Sequence, residues 1–283
     1  MEMDQRIAIA TDSSCDLSDE ILAQYGISII PLRIVYADRE YRDRVEVDAQ
    51  YVYERLDEEL PTSSMPSLDD ITATWDAIAD EGYTHLLQIC ISSGLSGTYN
   101  AMRMCAEEYT RMQVTVYDSR TLSMALGLMV LSAAREIQKS GSIPRAIARM
   151  DRIRGSMLAA YVVRTLEYLS KGGRIGKVEG IVGTLLRICP VISVNDDGVY
   201  YPMSKTVGYR KSLESMKKEF KARFTGKEVE LAVVHGGAEA LARDVERKLR
   251  GFAKVKESFI SAVSPVLGAH TGPGLIGIIA FEV

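Results

Sequence analysis

Hydroxyl side chains crowd one short stretch of this chain. Ser92, Ser93, Ser96 and Thr98, interleaved with Gly94 and Gly97, follow directly on the apolar run 86–91. An apolar run ending in small hydroxylated residues reads as a buried strand turning into a helix, with Ser96 or Thr98 as N-cap. Such a turn suits an anion. Main-chain N–H groups point outward there and the helix dipole adds partial positive charge. Glycine lets the backbone approach a ligand closely, and serine adds donors. The loop holds no lysine, so it is not a phosphate loop of the G-x-x-x-x-G-K-[ST] kind. Gly94-Leu95-Ser96-Gly97 is one residue short of the G-x-S-x-G nucleophile elbow. Hydroxyls and amides without a cation fit a singly charged head, such as a carboxylate, better than a polyphosphate. The same residues also describe a capped helix with no ligand.

Other polar clusters admit chemistry. Asp12 and Asp16, among Ser13 and Ser14, could serve a metal or a phosphoaspartate, but Asp and Ser are equally the residues of a self-bonding turn. Thr62, Ser63 and Ser64 lie between Pro61 and Pro66, a stiff polar loop leading to Ser67 as an N-cap. A serine hydrolase acting on a small acid needs a base beside its nucleophile, and the histidines on offer are His85, His235 and His270. A phosphotransferase would need a nucleotide site, and the sequence has neither a lysine-bearing phosphate loop nor a clear acidic set for Mg²⁺.

The elements that must position these residues alternate. Strands are expected over 6–10, 27–35, 86–91 and 113–117, and helices over 18–25, 49–59, 98 onward and 122–139. That alternation indicates an α/β fold, a mainly parallel sheet with helices on both faces, and it gathers the loops carrying Ser13, Ser93 and Asp118 on one rim. A boundary near Gly155 divides the chain into 1–155 and 156–283. The second part is read as a mixed α/β sheet domain. A helix opens at Arg174 and runs to about residue 189, and a β-hairpin turns at Asn195-Asp196-Asp197-Gly198. A helix over 209–224 has Leu213, Met216, Phe220 and Phe224 on one face. His270 sits in a glycine-rich turn before a last strand over 275–283.

At 283 residues there is length for two cores. Apolar residues at 47% and charged residues at 25% are those of a soluble globular protein. A formal charge of −4 argues against nucleic acid as an electrostatically held partner. The four cysteines are scattered with no C-x-x-C, which fits a reducing cytoplasm rather than a disulfide framework or zinc site. The acidic start MEMDQR is not a signal peptide, and the apolar stretch 122–134 is too short to span a bilayer, so no stable membrane insertion is expected.

Taken together, Thr11-Asp12-Ser13, the Pro66 serine loop, the segment 92–98, Tyr117-Asp118-Ser119, the segment 169–175 with Gly172-Gly173-Arg174, and His270-Thr271-Gly272-Pro273-Gly274 resemble the DegV family. The matches run from the first strand to the last. The resemblance implies a two-domain α/β carrier for a long-chain, palmitate-like fatty acid, with the carboxylate in the serine cleft and the tail in an apolar tunnel. It further implies presentation to a separate ATP-dependent fatty acid kinase, with no catalytic residue, metal or other cofactor in this chain. The ligand residues carried over are Ser63, Ser93 and Ser96, supported by Ser92 and His270. Arg174 and Arg210 are carried over as docking residues. Ser63 stands where the family has threonine and keeps the hydroxyl. Met65 replaces a glutamine, and Val207 or Tyr209 stands where an arginine is usual.

Overall fold

The computed structural model describes residues 5–178 and 189–283. Its first sheet is parallel, with strands β1 (Ile7–Asp12) and β2 (Ile27–Ile30) beside β6 (His85–Cys90) and β7 (Gln113–Asp118), in the order β2-β1-β6-β7. A small antiparallel sheet holds β3 (Arg33–Val35), β4 (Glu40–Arg42) and β5 (Thr62–Ser64). The third sheet is mixed. Strands β8 (Leu158–Val162), β9 (Val191–Val194), β10 (Tyr200–Ser204), β11 (Glu228–His235), β12 (Lys254–Ala262) and β13 (Ile276–Glu282) lie in the order β10-β9-β8-β13-β11-β12. Only β11 and β12 run parallel within it. The described helices are α1 (Asp19–Tyr25), α2 (Ala49–Arg55), α3 (Leu68–Asp80), α4 (Thr98–Glu108), α5 (Ser123–Ser140), α6 (Ile143–Ser156), α7 (Glu167–Lys171), α8 (Tyr209–Phe224), α9 (Glu239–Leu249) and α10 (Pro265–Thr271).

Strands of both large sheets are apolar on two faces because helices cover both sides. On β11, Leu231 and Val233 face α8 and α9, where Leu213, Met216, Phe220 and Leu249 complete a core. Ala232 and Val234 face the other way, into a core shared with Ile9, Leu87 and Ile89 of the first sheet. Helix α5 fills the space between the sheets, and each residue from Ser123 to Ala134 is buried. A helix apolar on every side belongs in such a place. Gly127 allows the fit, since a Cβ there would stand 2.4 Å from the carbonyl oxygen of Cys15. Among the described residues no helix is long and apolar enough to cross a membrane.

Several expectations shift. The strand read over 27–35 is two strands in two sheets, because Pro31 has no N–H for the ladder and Leu32 donates its own to the Ser13 hydroxyl at 3.0 Å. The 61–67 loop contains a strand, β5, paired with β3. Ser67 does cap α3, accepting from the Asp70 N–H at 3.1 Å. Helix α4 starts after Gly97 with no side-chain cap, so neither Ser96 nor Thr98 is its N-cap. The helix expected from Arg174 begins with a short 3-10 turn at Gly176–Val178, and its continuation over 179–188 lies outside the described residues. His270 closes helix α10 rather than sitting in a turn.

Candidate functional site

Elements from all three sheets converge on one pocket. Strand β5 brings Ser63 and Ser64, the loop after β6 brings Leu95 and Ser96, and the segment after α7 brings Arg174. Helix α10 supplies Val266, Leu267, His270 and Thr271, and Leu122 and Tyr200 close the far side. Behind them lies a second, almost wholly apolar space, lined among others by Tyr161, Val163, Leu169, Ile192, Val263 and Leu275. The two share Leu122, Tyr200, Leu267 and Thr271 as lining, so a mouth carrying polar groups adjoins an apolar slot.

In the mouth, the Ser63 hydroxyl lies 2.7 Å from His270 Nε2. Ser96 Oγ is 2.8 Å from Thr98 Oγ1. Gly172 is pressed against the imidazole: its backbone is ordinary, but a Cβ would stand 2.2 Å from His270 Nδ1. The first glycine of the Gly-Gly-Arg segment is therefore a matter of room for His270. Helix α10 is itself held by two buried carboxylates far away in sequence. Asp16 accepts from the Ser264 N–H at 2.7 Å, and Asp43 accepts from the Val266 N–H at 2.9 Å. Burial pushes both acids up, Asp16 to about 6 and Asp43 to about 7. Neither was singled out from the sequence as a positioner of His270, since no local pattern links them to it.

The serine loop divides its labour. Ser92 is buried and donates to the Gly198 carbonyl at 2.7 Å, gripping the β9–β10 turn of the third sheet. Ser93 is exposed, and its hydroxyl donates to Asp118 at 2.6 Å. Neither lines the pocket. The main-chain N–H groups of residues 91–96, expected to point at an anion, are also engaged. Those of Ile91 and Ser93 go to the Asp12 and Asp118 carboxylates, at 2.6 and 3.1 Å. That of Ser92 goes to the Thr121 carbonyl, that of Gly94 to Ser92 Oγ, and those of Leu95 and Ser96 to the Ser92 carbonyl. Asp12 is accordingly a turn and loop anchor. What faces the pocket is Ser63, Ser64, Ser96, His270 and one cation, Arg174.

The DegV family model matches residues 6–283, nearly the whole chain. The chain belongs to the DegV family. A DegV domain-containing protein of Clostridium perfringens is 39% identical over 274 residues, which cover 97% of this chain and 98% of the relative. One from Clostridium acetobutylicum is 37% identical over 279 residues, covering 98% and 99%. Among solved structures, a DegV family protein of Thermus thermophilus described for its fatty acid binding matches with a TM-score of 0.89 at 30% identity, covering 99% of this chain and 100% of that one. DegV of Bacillus subtilis, described as a fatty acid binding protein, matches with a TM-score of 0.90 at 27% identity over 99% and 100%.

Within this DegV fold, the expectation of a head-group site without a cation is corrected by Arg174. It was carried over as a docking residue, yet it lines the mouth, with Nη1 donating to the Gly172 carbonyl at 2.6 Å. Burial, with Arg174 adding to it, holds the His270 imidazole down at about 4. His270 is thus neutral at pH 7, and Arg174 is the full positive charge in the lining. Arg210 stands elsewhere, in an exposed groove with Lys211 and Lys218 at the start of α8. Cys15 is buried with its thiol pushed up to about 12, so it is not a nucleophile.

Proposed function

We propose that this chain binds a long-chain fatty acid such as palmitate, with the carboxylate among Ser63, Ser96, His270 and Arg174 and the tail in the apolar slot. The observation that carries the reading is that a pocket with Ser63, Ser96, His270 and Arg174 in its lining adjoins an almost wholly apolar one across Leu122, Tyr200, Leu267 and Thr271. The fatty acid binding described for the Thermus and Bacillus proteins supports it. A tail of about 14 methylenes, at about 0.8 kcal/mol each, yields on the order of 11 kcal/mol before the costs of association. Hydrogen bonds to a charged carboxylate contribute about 1.5–3 kcal/mol each, largely offset by desolvation. Tail burial then sets affinity and the polar mouth sets orientation.

For Ser63 to donate to a carboxylate, His270 must donate Nε2–H to Ser63 Oγ. This places the ring's one proton on the nitrogen that has a partner, since Nδ1 is buried with none. Arg174 then balances the carboxylate's charge. Native mass spectrometry after mild purification tests the reading. A bound fatty acid that survives desalting, or is taken up on incubation with palmitate, is expected; a chain that never takes one up contradicts it.

Presentation of the loaded acid to a separate fatty acid kinase is the finer part of the proposal, and it makes this chain a cytoplasmic carrier. Arg210, beside exposed Val207, would meet that partner. Acyl-phosphate formation with a bacterial fatty acid kinase, slowed in Arg210→Glu, tests it. A second reading, ester hydrolysis, is favoured only by the Ser63–His270 pair. That pair lacks the group that orients a catalytic histidine, because Nδ1 has no partner among the described residues. Turnover of short-chain esters, lost in Ser63→Ala, would favour the hydrolase.

A further inference from the structure

At the far end of α5 from the slot lies a groove of about 990 Å³ that the fatty acid reading does not use. Residue 139 is about 24 Å along the helix from Ser123, at about 1.5 Å per residue. Arg135, Glu136 and Lys139 of α5 form one wall, and Arg145, Arg149 and Arg152 of α6 form the other. Glu230 of β11 makes the floor. Five cations therefore face two carboxylates in a chain whose formal charge is −4.

Local pairing leaves much of that charge unmatched. Arg145 bonds Glu136 at 3.0 Å, and Arg135 reaches Glu230 at 3.4 Å and Glu257 at 2.8 Å. The side chains of Lys139, Arg149 and Arg152 make no hydrogen bond or salt bridge among the described residues. Arg145, Arg149 and Arg152 sit at i, i+4 and i+7 on one face, where like charges oppose helix formation. Glu230 is only 7% exposed, and its Oε2 has no hydrogen-bond partner. Burial raises its carboxyl above the usual range, and the Arg135 guanidinium beside it opposes that shift. Arg149, which lies within electrostatic reach of Glu230, and Arg152 are guanidinium forks with no hydrogen bond of their own, and in a concave setting such forks suit phosphate oxygens more than lysine point charges on an open helix.

We propose that the α5–α6 groove binds a phosphate-bearing ligand, with Arg149 and Arg152 as its principal donors and Lys139 supporting. The source is either a soluble phosphate compound or the headgroup of an anionic lipid. Calorimetry on the full chain with inorganic phosphate and with inorganic pyrophosphate tests the first source. Sedimentation with phosphatidylcholine vesicles, with and without phosphatidylglycerol, tests the second. The double variant Arg149→Ala/Arg152→Ala, both on the solvent side of α6, should weaken whichever binding is seen by about tenfold or more. Its fatty acid uptake should be unchanged. Removing the same charge at the start of α8, as Lys211→Ala/Lys218→Ala, should leave the binding within about twofold, since those lysines lie outside this groove. Pyrophosphate binding assigns the groove to soluble phosphates, and vesicle binding alone assigns it to headgroups. Binding to neither probe, or an equal loss in both double variants, overturns the proposal.

Discussion

Ser93 and Ser96 stand three residues apart in one loop and live in different surroundings. Ser93 has its hydroxyl and its N–H on Asp118, and Ser92 beside it holds the Gly198 carbonyl. Ser96 bonds only its neighbour Thr98 and faces the pocket with Ser63, His270 and Arg174. Ser92 ties the first sheet to the third and Ser93 ties two strands of the first, while Ser96 lines a cavity. Identical side chains are thus tied into the framework or left facing a cavity according to which distant carboxylate or carbonyl reaches them first.

The contrast can be broken from its apolar end. Leu267→Trp, placed where mouth and slot meet, should reduce fatty acid affinity by about 100-fold or more through lost tail burial, with circular dichroism confirming the fold. Gly172→Ala should cost about 1–3 kcal/mol in urea unfolding, because its Cβ must displace His270, and should weaken binding as well. Ser63→Ala and Ser96→Ala should each weaken binding by about tenfold, from a lost charge-assisted hydrogen bond. Ser93→Ala should change affinity less than about twofold and cost about 0.5–1 kcal/mol of stability. Equal affinity losses for Ser93→Ala and Ser96→Ala would erase the distinction.

Acid–base behaviour sharpens it last. Asp43 has its folded pKa raised to about 7, so its contribution is present below the unfolded value and is lost as pH rises through about 7. Asp43→Asn keeps an acceptor for the Val266 N–H and removes that loss. Its unfolding midpoint should fall less than the wild type's between about pH 4 and 7. His270 works oppositely. With its folded pKa depressed to about 4, its contribution is present above about 6.5 and is lost as pH falls through 4, so His270→Asn should be less acid-sensitive.

Much of the frame was legible. Helix α8 falls on the expected 209–224 because Leu213, Met216, Phe220 and Phe224 repeat at helical spacing and all are buried. The Asn195–Gly198 turn joins two antiparallel strands because Gly198 takes the positive φ of 76° that such a turn needs. The misreadings have one cause. The loop amides were assigned to a ligand, while Asp12 and Asp118, from other strands, already hold two of them. Helix α10 looked like a turn because its N-terminal N–H groups are met by Asp16 and Asp43, more than 200 residues earlier. That Arg174 also lines the pocket is not legible in the motif, which gives a residue's place in the chain and not the direction of its side chain.

The most direct test is a crystal structure of the chain incubated with palmitate. Continuous density is expected along the slot past Leu267 and Tyr200, its polar end within hydrogen-bond reach of Ser63, Ser96 and Arg174. Density whose polar end lies at Ser93 and Asp118, or a slot with no tail in it under saturating palmitate, would contradict the account.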